Sequence, residues 1–220
     1  MNAMIISRGR RYIFVHIPKT GGTALSLALE ARAMADDILI GDTPKAVKRR
    51  RRLQGARSSG RLWKHSRLRD VEGLVTRQEM AELFTFTLVR NPWDRMVSYY
   101  HWLRAQGFDH PAVHLAKGLE FSAFLNHAQT RAVFQAESYG AYMQDPEGQE
   151  RCRAFIRLEH LAQDLAPLEA HLGFSLGDIP KVNRSERAAD FRSYYSDADA
   201  ALLAQLCGED IARFGYGFGG

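Results

Sequence analysis

The sequence predicts an α/β sandwich in which helices flank a central, mostly parallel sheet. Three observations lead to this prediction. An almost continuous apolar run, residues 12–17, is typical of a strand that is buried on both faces, and an Ala- and Leu-rich stretch follows it. A second strand-like segment, residues 83–90, leads into a second amphipathic helix. Strands that alternate with helices in this way form parallel sheets covered by helices.

The first strand–turn–helix unit starts with YIFVHI, residues 12–17, and continues through PKTGG into a helix from Thr23. Alanine and leucine favour a helix. Leu25, Ala28 and Leu29 recur at helical spacing, so one side of the helix can pack on the sheet. Residues 36–70 have weak periodicity and many basic side chains, which predicts a loop with short helical pieces.

The second unit joins LFTFTLVR, residues 83–90, to a helix that begins after Asn91. Apolar residues alternate with threonines in the first part, which is typical of a strand. Asn91 is a favourable N-cap, and Pro92 suits the first helical position. The apolar side of this helix, with i, i+3, i+4, i+7 spacing, consists of Trp93, Met96, Val97 and Tyr100, and a polar side carries Asp94, Ser98 and His101.

The rest of the chain is predicted to be mainly helical. Residues 105–150 indicate helical pieces and loops, and AFIRLE, residues 154–159, is a third strand. A helical stretch with Pro167 at a start or kink follows it. Ser196 can cap the last helix. Since no repeat or linker divides the chain, we expect one domain over residues 1–220.

The composition is that of an ordinary globular protein, with 45% hydrophobic and 25% charged residues among 220. No apolar run approaches the ~20 residues that span a bilayer, and the N-terminus does not resemble a secretory signal. We therefore expect a cytoplasmic protein without a transmembrane segment. Cys152 and Cys207 lack metal-ligand spacing and are expected to be free thiols.

The net charge of +5 favours an anionic partner, which can be nucleic acid, a membrane surface or a phosphorylated ligand. Part of this charge lies in one run, KAVKRRRRL, residues 45–53. Such a run is typical of a solvated loop, but it also fits a site for an acidic ligand or nonspecific nucleic-acid binding. The sequence leaves all three interpretations open.

The turn after the first strand is a candidate anion site. Backbone N–H groups without intrahelical partners and the positive end of the helix dipole coincide there. Gly21 and Gly22 let the backbone approach an anion closely. Thr20 and Thr23 add hydroxyl groups, and Lys19 adds a positive charge. In the loop GxxxxGK[ST] the lysine follows the glycines and the next hydroxyl binds magnesium. Here the lysine precedes the glycines and no acidic metal ligand is evident, so we expect no metal.

A second candidate anion site follows the second strand. Arg90 stands at the end of that strand, and Ser98 lies two turns into the helix. Because parallel strands end at the same edge of a sheet, we expect Arg90 to approach the ligand that Lys19 holds. A guanidinium group matches phosphate oxygens, although an ion pair with Asp94 is the alternative. A ligand with two separated anionic groups fits better than a linear triphosphate.

The two motifs together, HIPKTGGT and VRNPWDRMVSYY, resemble the 5′-phosphosulfate and 3′-phosphate binding motifs of the Golgi-type carbohydrate sulfotransferases and their bacterial relatives. The resemblance extends to KHSRLRD between them and to FIRLEHLAQDL, VNRSER and GEDIARFGY after them. It covers most of the chain and is weakest over residues 105–150. Golgi members carry a membrane anchor and usually disulfides. This sequence has no apolar run of that length and only two cysteines, so we expect it to be more like a compact cytosolic bacterial enzyme. The polysaccharide acceptors of the Golgi members are therefore not carried over.

The resemblance implies a P-loop-like α/β fold and a sulfotransferase that depends on 3′-phosphoadenosine 5′-phosphosulfate (PAPS). The product would be 3′,5′-adenosine bisphosphate (PAP), and the sulfuryl group would pass in line to a hydroxyl or amine. The residues that match the motifs are Pro18, Lys19, Thr20, Gly21, Gly22, Thr23 and Ala24 for the 5′-phosphosulfate, and Arg90 and Ser98 for the 3′-phosphate. Asn183, Arg184 and Ser185 resemble a later loop that closes over the nucleotide.

Sulfuryl transfer also needs a base that accepts the proton of the acceptor hydroxyl. His65, in the stretch that resembles the family's base-bearing segment, is the first candidate, and Lys19 would stabilise charge on the leaving oxygen. A packing role is the alternative for His65. His16 is closer to the loop in sequence, but strand alternation directs its side chain away from its neighbours, into the core. The remaining candidates are His101, Glu137 and Glu159.

The expected acceptor is a carbohydrate or glycolipid, in a site shaped by the insertions 36–70 and 105–150. Candidate stacking rings are Trp102, Phe108, Tyr139 and Tyr142. We expect no specific nucleic acid as a partner, while peripheral membrane contact and the oligomeric state stay open. Two other functions fit parts of the sequence: a nonenzymatic nucleic-acid-binding module that uses the Lys45–Arg52 run, and an ATP-dependent P-loop kinase that uses the same loop with magnesium.

Overall fold

The computed structural model describes residues 2–179 and 187–219. The chain divides into two compact units, of which the first comprises Met1–Val89 and Tyr139–Asn183 and the second comprises Arg90–Ser138 and Arg184–Gly220. The prediction of a single catalytic domain stays a prediction.

The secondary structure consists of strands, α-helices and short 3-10 turns, numbered here in chain order. The strands are β1 (Ala3–Ser7), β2 (Tyr12–Val15), β3 (Ile38–Gly41), β4 (Phe84–Val89) and β5 (Ala154–Arg157). The helices are α1 (Gly22–Ala31), α2 (Pro44–Arg49), α3 (Arg77–Glu82), α4 (Pro92–Arg104), α5 (Pro111–Gly118), α6 (Phe121–Asn126), α7 (Ala128–Ala136), α8 (Tyr139–Tyr142), α9 (Leu161–Asp164), α10 (Ala166–Leu172), α11 (Asp197–Leu206) and α12 (Gly208–Phe214).

The first unit is built on a sheet with the strand order β3-β1-β2-β4-β5. β2 pairs in parallel with β4, with Phe14 opposite Phe86, and β4 pairs in parallel with β5. β1 runs antiparallel to both β2 and β3. The predicted α/β fold with a sheet flanked by helices is confirmed, and the three predicted strands form its parallel half. The antiparallel half consists of β1 and β3 paired around the start of the chain.

The sequence did not reveal β1 and β3. The five residues of β1 are all buried, and a turn from Arg8 to Arg11, with φ of 56° at Arg11, returns the chain to β2. β3 lies in the region predicted to be a loop with helical pieces, and it is held by pairing with β1. Both strands are too short for a local periodic signal, because their burial comes from distant partners.

One core cluster of the first unit packs one face of the sheet against residues of α1, α2 and α10. Phe14 stacks on Phe86 with ring centroids 5.2 Å apart, and Leu25 of α1 and Leu168 of α10 are fully buried in the same cluster. The threonines of β4 alternate with these apolar residues and are also buried. Thr87 Oγ1 donates to the Val15 carbonyl at 2.7 Å, so its burial leaves no unsatisfied hydroxyl.

The second unit is helical and packs around α4. The predicted apolar side of α4 is confirmed, since Trp93, Met96, Val97 and Tyr100 are all buried, in a cluster that also contains Leu203 of α11. The predicted caps are also present: Asn91 accepts from Trp93 N at 3.1 Å, and Ser196 accepts from Asp199 N at 3.2 Å. The last predicted helix is interrupted at Cys207, so that it forms α11 and α12.

Two further sequence predictions concern the cysteines and membrane-spanning helices. Cys152 and Cys207 are free thiols, as predicted. Within residues 2–179 and 187–219, no helix has both the length and the apolar composition that a membrane crossing requires.

The basic run at Lys45–Arg52 has a structural role. It forms α2 and the following 3-10 turn, and three of its side chains donate to carbonyl groups at the end of α1 and just after it. Lys45 contacts the Glu30 carbonyl, Arg49 donates to the Met34 carbonyl at 2.9 Å and to the Asp37 carbonyl at 3.2 Å, and Arg52 contacts the Ala35 carbonyl. Positive charge near the C-terminal end of a helix is stabilising.

Replacing Arg49 by alanine should lower the free energy of unfolding by about 1 kcal/mol, because two carbonyl groups lose a charged donor in a partly exposed setting. Arg51→Ala is the matched control, since this exposed side chain makes no hydrogen bond among the described residues. Urea denaturation of both variants measures the difference. Equal stabilities would show that the carbonyl contacts of Arg49 contribute nothing.

Candidate active site

The turn between β2 and α1 has an unusual backbone. Lys19 and Gly21 both have positive φ angles, 67° and 84°, on either side of Thr20. Glycine adopts this left-handed region freely, whereas a lysine does so at a cost of about 1 kcal/mol or more. Strained residues of this kind cluster at ligand-binding turns, and the strained lysine is the one that the sequence predicted to carry the charge of the site.

The N-terminus of α1 has no side-chain cap among the described residues. Its N-cap is Gly21, and the first turn contains no acidic side chain. By contrast, Thr43 caps α2, Asn91 caps α4 and Ser196 caps α11. The first N–H groups of α1 and the positive end of its dipole are therefore available to an anion from outside the helix.

The two threonines of the loop bond within the protein. Thr20 Oγ1 donates to the Ile17 carbonyl at 2.9 Å, and Thr23 Oγ1 contacts Asn2 Oδ1. Their hydroxyl hydrogens thus stabilise the turn, which differs from the predicted role as donors to the anion. The remaining motif residues lie at the two ends of the turn, where Pro18 is half-buried and Ala24 is buried in the first turn of α1.

Both glycines are required by close packing as well as by backbone conformation. A Cβ at Gly22 would lie 2.5 Å from Cδ2 and 2.7 Å from Nε2 of His16, and a Cβ at Gly21 would lie 2.8 Å from Leu158 Cδ1. Real Cβ atoms do not approach heavy atoms this closely. The missing side chain of Gly22 therefore makes the space in which the His16 ring lies.

His16 and His65 are in direct contact beside this turn. Their Nδ1 atoms lie 3.0 Å apart, and His65 Nδ1 is 2.9 Å from the His16 carbonyl oxygen. A carbonyl only accepts, so His65 Nδ1 carries the hydrogen, and its Nε2 is left with a lone pair. His16 is buried, as predicted, and its ring contacts the candidate base, which the sequence did not indicate.

The environment of His65 keeps its ring neutral. Burial lowers the pKa of His65 to about 4, against the hydrogen bond to His16, which raises it. The charges of Lys64 and Lys19 lower the pKa further, and Asp42 raises it. Burial also lowers the pKa of His16 well below its ordinary value. His65 is therefore an unprotonated imidazole with a lone pair on Nε2 at neutral pH, and its pKa of about 4 makes it a weaker base than one whose pKa matches neutral pH.

In the second unit, Asp94 binds two arginines. Arg90 Nε lies 2.8 Å from Asp94 Oδ2, and Arg187 Nη2 lies 2.5 Å from Asp94 Oδ1. The ion pair that the sequence offered as the alternative for Arg90 is therefore present. Ser98 is one helical turn beyond Asp94 and is 7% exposed. Arg187 was missed, although it ends the VNRSER motif, and its Nη1 is buried with no hydrogen-bond partner among the described residues.

Several other predicted residues lie outside these clusters or outside the described chain. Asn183, Arg184 and Ser185 lie outside the described residues. His101 is in the second unit, where burial and the charges of Arg187 and Arg104 lower its pKa. Glu137 follows α7, and Glu159 lies exposed in the turn after β5.

The predicted stacking rings are mostly buried. Tyr139 and Tyr142 are 0% and 3% exposed, so the prediction that they stack on a sugar is wrong. Trp102 is half-buried against the core of the second unit, and Phe108 is exposed. Tyr139 and Tyr142 have polar neighbours along the chain, but both rings are buried, and the guanidinium group of Arg67 lies over the Tyr142 ring.

A cavity of about 400 Å³ in the first unit is lined in part by Trp63 and Lys64, the two residues that precede His65 in the chain. One wall is aliphatic, and the exposed Trp63 lies edge-on to the His65 ring with centroids 5.0 Å apart. Asp42 and Lys64 form an ion pair of 2.7 Å in its lining. The aliphatic and remaining lining residues include Leu39, Ala46, Arg50, Leu53 and Leu62. Trp63 lies in the insertion 36–70, which was predicted to shape the acceptor site together with 105–150, but no feature of the sequence singled it out.

The sequence profile described as the sulfotransferase family matches residues 2–216. This chain belongs to the sulfotransferase family. The match confirms the prediction, made from the two motifs, of a PAPS-dependent sulfotransferase. A comparison with curated protein sequences finds no significant match.

Among solved structures, the sulfotransferase resembles mouse sulfotransferase SULT7A1, whose crystal structure was determined in complex with PAP. The TM-score is 0.51 at 17% sequence identity, and the similarity covers 91% of this chain and 82% of the mouse chain. At this identity the likeness supports the fold. Within the described parts of the sulfotransferase, no group of three or more His, Cys, Asp or Glu side chains is arranged to hold a metal ion.

Replacing Gly22 by alanine should destabilise the sulfotransferase by about 1–3 kcal/mol, because the new Cβ would have to displace the buried His16 ring. Gly118→Ala is the matched control, since a Cβ at this helical glycine meets nothing within 4 Å and alanine is the better helix former. Urea denaturation compares the two variants. If they were equally stable, the ring of His16 could not lie beneath Gly22.

Proposed function

We propose that this sulfotransferase transfers the sulfuryl group of PAPS to a hydroxyl group of a carbohydrate or glycolipid acceptor. The observation that carries the proposal is the turn between β2 and α1, where Lys19 is held in a strained conformation at an uncapped helix N-terminus. A neutral histidine, His65, lies close enough to this turn for the charge of Lys19 to affect its pKa.

The residues present fit the two anionic ends of PAPS. Lys19 and the N–H groups at the start of α1 would bind the 5′-phosphosulfate. Arg90 and Ser98 would bind the 3′-phosphate, and Arg187, with its buried Nη1, would add a further donor. The parallel pairing of β2 with β4 supports this assignment, because parallel strands end at the same edge and Arg90 directly follows Val89. The proposed contacts of Asn183, Arg184 and Ser185 rest on the motif alone.

The protein side chains would assist transfer by moving one proton and stabilising one charge. PAPS supplies the reactive sulfuryl group. His65 Nε2 would take the proton of the acceptor hydroxyl while that oxygen bonds to sulfur and the bond from sulfur to the 5′-phosphate oxygen breaks. Lys19 and the loop amides would stabilise the negative charge that develops on this phosphate oxygen. The products are a sulfate ester, PAP and a protonated His65.

The cavity lined by Trp63, whose ring contacts that of His65, would hold the acceptor. At about 400 Å³ it falls in the range of small-molecule sites. The exposed indole of Trp63 offers a flat surface to a sugar ring, and Asp42 and Lys64 offer an acceptor and a donor to its hydroxyl groups. The aliphatic wall that includes Leu53 and Leu62 favours an acceptor with an apolar part, as in a glycolipid or alkyl glycoside.

The alternative functions have less support. Family membership favours sulfuryl transfer over an ATP-dependent kinase. In the basic run, Lys45, Arg49 and Arg52 bind carbonyl groups of the protein itself, which weakens the case for a nucleic-acid-binding module.

PAP should bind without magnesium, and Lys19→Ala and Arg90→Ala should each weaken binding at least tenfold, because each removes a charge-assisted contact worth about 1.5–3 kcal/mol. Isothermal titration calorimetry in a buffer with a chelator measures this. Lys48→Ala, at an exposed position of α2, is the control and should bind as the unmodified protein does. Unchanged affinity in both site variants would mean that the assigned site is wrong.

A large side chain in the cavity should prevent binding of the acceptor substrate without changing the binding of PAP. Leu53→Trp should lower kcat/KM for sulfation at least tenfold in a panel of alkyl and aryl glycosides, measured by the mass gain of the product. Val47→Trp, at a position that is 49% exposed on α2, is the matched control. PAP affinity should be the same in both variants. Full activity of Leu53→Trp would place the acceptor elsewhere.

A further inference from the structure

We infer that His16 is a positioning residue, whose buried ring accepts a hydrogen bond from His65 Nδ1–H and so holds His65 with the lone pair of Nε2 directed to the acceptor. This inference rests on the proposed function of His65 as the base. It assigns a role to the side chain of His16, which begins the motif HIPKTGGT but is not among the residues matched to the 5′-phosphosulfate.

The hydrogen positions follow from the two short contacts. The His16 carbonyl, 2.9 Å from His65 Nδ1, requires that this nitrogen carries a hydrogen. The Nδ1 of His16, 3.0 Å from the same nitrogen, must then be unprotonated and accept. The neutral His16 ring therefore carries its hydrogen on Nε2. Two acceptors, one backbone and one side chain, converge on His65 Nδ1 and fix its tautomer.

The surroundings of His16 Nε2 indicate that a histidine is not the residue that packing alone would favour at this position. His16 is 3% exposed, and its Nε2 has no hydrogen-bond partner among the described residues. It lies beneath Gly22, whose lack of a side chain makes room for the ring. A buried donor without a partner is destabilising, and an apolar ring would fill the same space without that cost. Exceptions of this kind call for a functional explanation.

A neutral partner suits a base that must stay unprotonated. A carboxylate in place of His16 would orient His65 equally well but would raise its pKa. The charged and titratable groups that act on His65 are His16, Lys19, Lys64 and Asp42, and both lysines oppose protonation. When His65 accepts the proton of the acceptor, its Nδ1–H still has two acceptors. The arrangement follows the general pattern of a base that is oriented by a third group.

The decisive measurement is the tautomer of His65, which can be determined without PAPS and without the acceptor substrate. The measurement uses long-range ¹H–¹⁵N spectra of the full chain labelled in its histidines, and the His65 signals are assigned by their loss in His65→Asn. The spectra should show His65 Nδ1 protonated and His65 Nε2 unprotonated at pH 7. His16→Asn should keep this pattern, because the amide oxygen can take the place of Nδ1. His16→Leu keeps the backbone carbonyl of residue 16 as an acceptor and removes only the ring acceptor, so it should shift the Nε2 signal part of the way toward a mixture of tautomers.

The same variants give a kinetic prediction in the glycoside panel. His16→Leu should lower kcat about tenfold and leave the KM for PAPS within about twofold, because it acts on the base and not on the donor. His16→Asn should restore kcat to within about threefold of the unmodified enzyme. If His16→Leu does not fold, His16→Gln replaces it, since its amide reaches the position of Nε2 and not that of Nδ1.

The inference would be overturned if His65 carried its hydrogen on Nε2. It would also be overturned if His16→Asn gave the same spectrum and the same kcat as His16→Leu, or as His16→Gln where that variant replaces it. PAP calorimetry on these variants separates this failure from a failure of the proposed function. Normal PAP binding with the hydrogen of His65 on Nε2 contradicts the role of His16 and the role of His65 Nε2 as the base, and it leaves the donor site unaffected. Loss of PAP binding in Lys19→Ala tests the donor site independently.

Discussion

The candidate site depends on the parallel pairing of β2 with β4. β2 is fully buried and pairs on both sides, so its position is fixed by backbone hydrogen bonds and by the Phe14–Phe86 stack. Where its pairing ends, the chain has to turn toward α1, and this turn contains His16, Lys19 and the two glycines. The same pairing fixes the end of β4, from which Arg90 continues. The two motifs therefore follow β2 and β4, which are adjacent strands of the sheet in the first unit.

Local instability is concentrated at the β2–α1 turn. Among the described residues, a lysine with positive φ, a helix N-terminus without a side-chain cap and a buried imidazole nitrogen without a hydrogen-bond partner each cost free energy in the isolated protein. The surrounding core, with Leu25 and Phe14 fully buried, is large enough to hold this turn in place. An anion at the start of α1 would relieve part of the cost, because it would accept from N–H groups that otherwise lack partners. Donor binding should thus stabilise the fold.

The sequence predicted those features that leave a local pattern. The apolar run of β2, the Thr-containing β4, the apolar side of α4 and the caps Asn91 and Ser196 are each encoded within a few residues. The short strands β1 and β3 were missed, since each is buried by partners far along the chain. For the same reason, the contact between His16 and His65, the shared Asp94 of Arg90 and Arg187, and the burial of Tyr139 could not be found from spacing. Motif spacing identifies the chemistry, but only the fold shows which side chain orients another.

The most direct measurement is a crystal structure of the protein with PAP. A 5′-phosphate within hydrogen-bonding distance of Lys19 Nζ and the first N–H groups of α1, with the 3′-phosphate on Arg90, is the predicted result. If PAP were bound with its 5′-phosphate away from this turn while the turn kept its present conformation, the strained loop would not be the donor site.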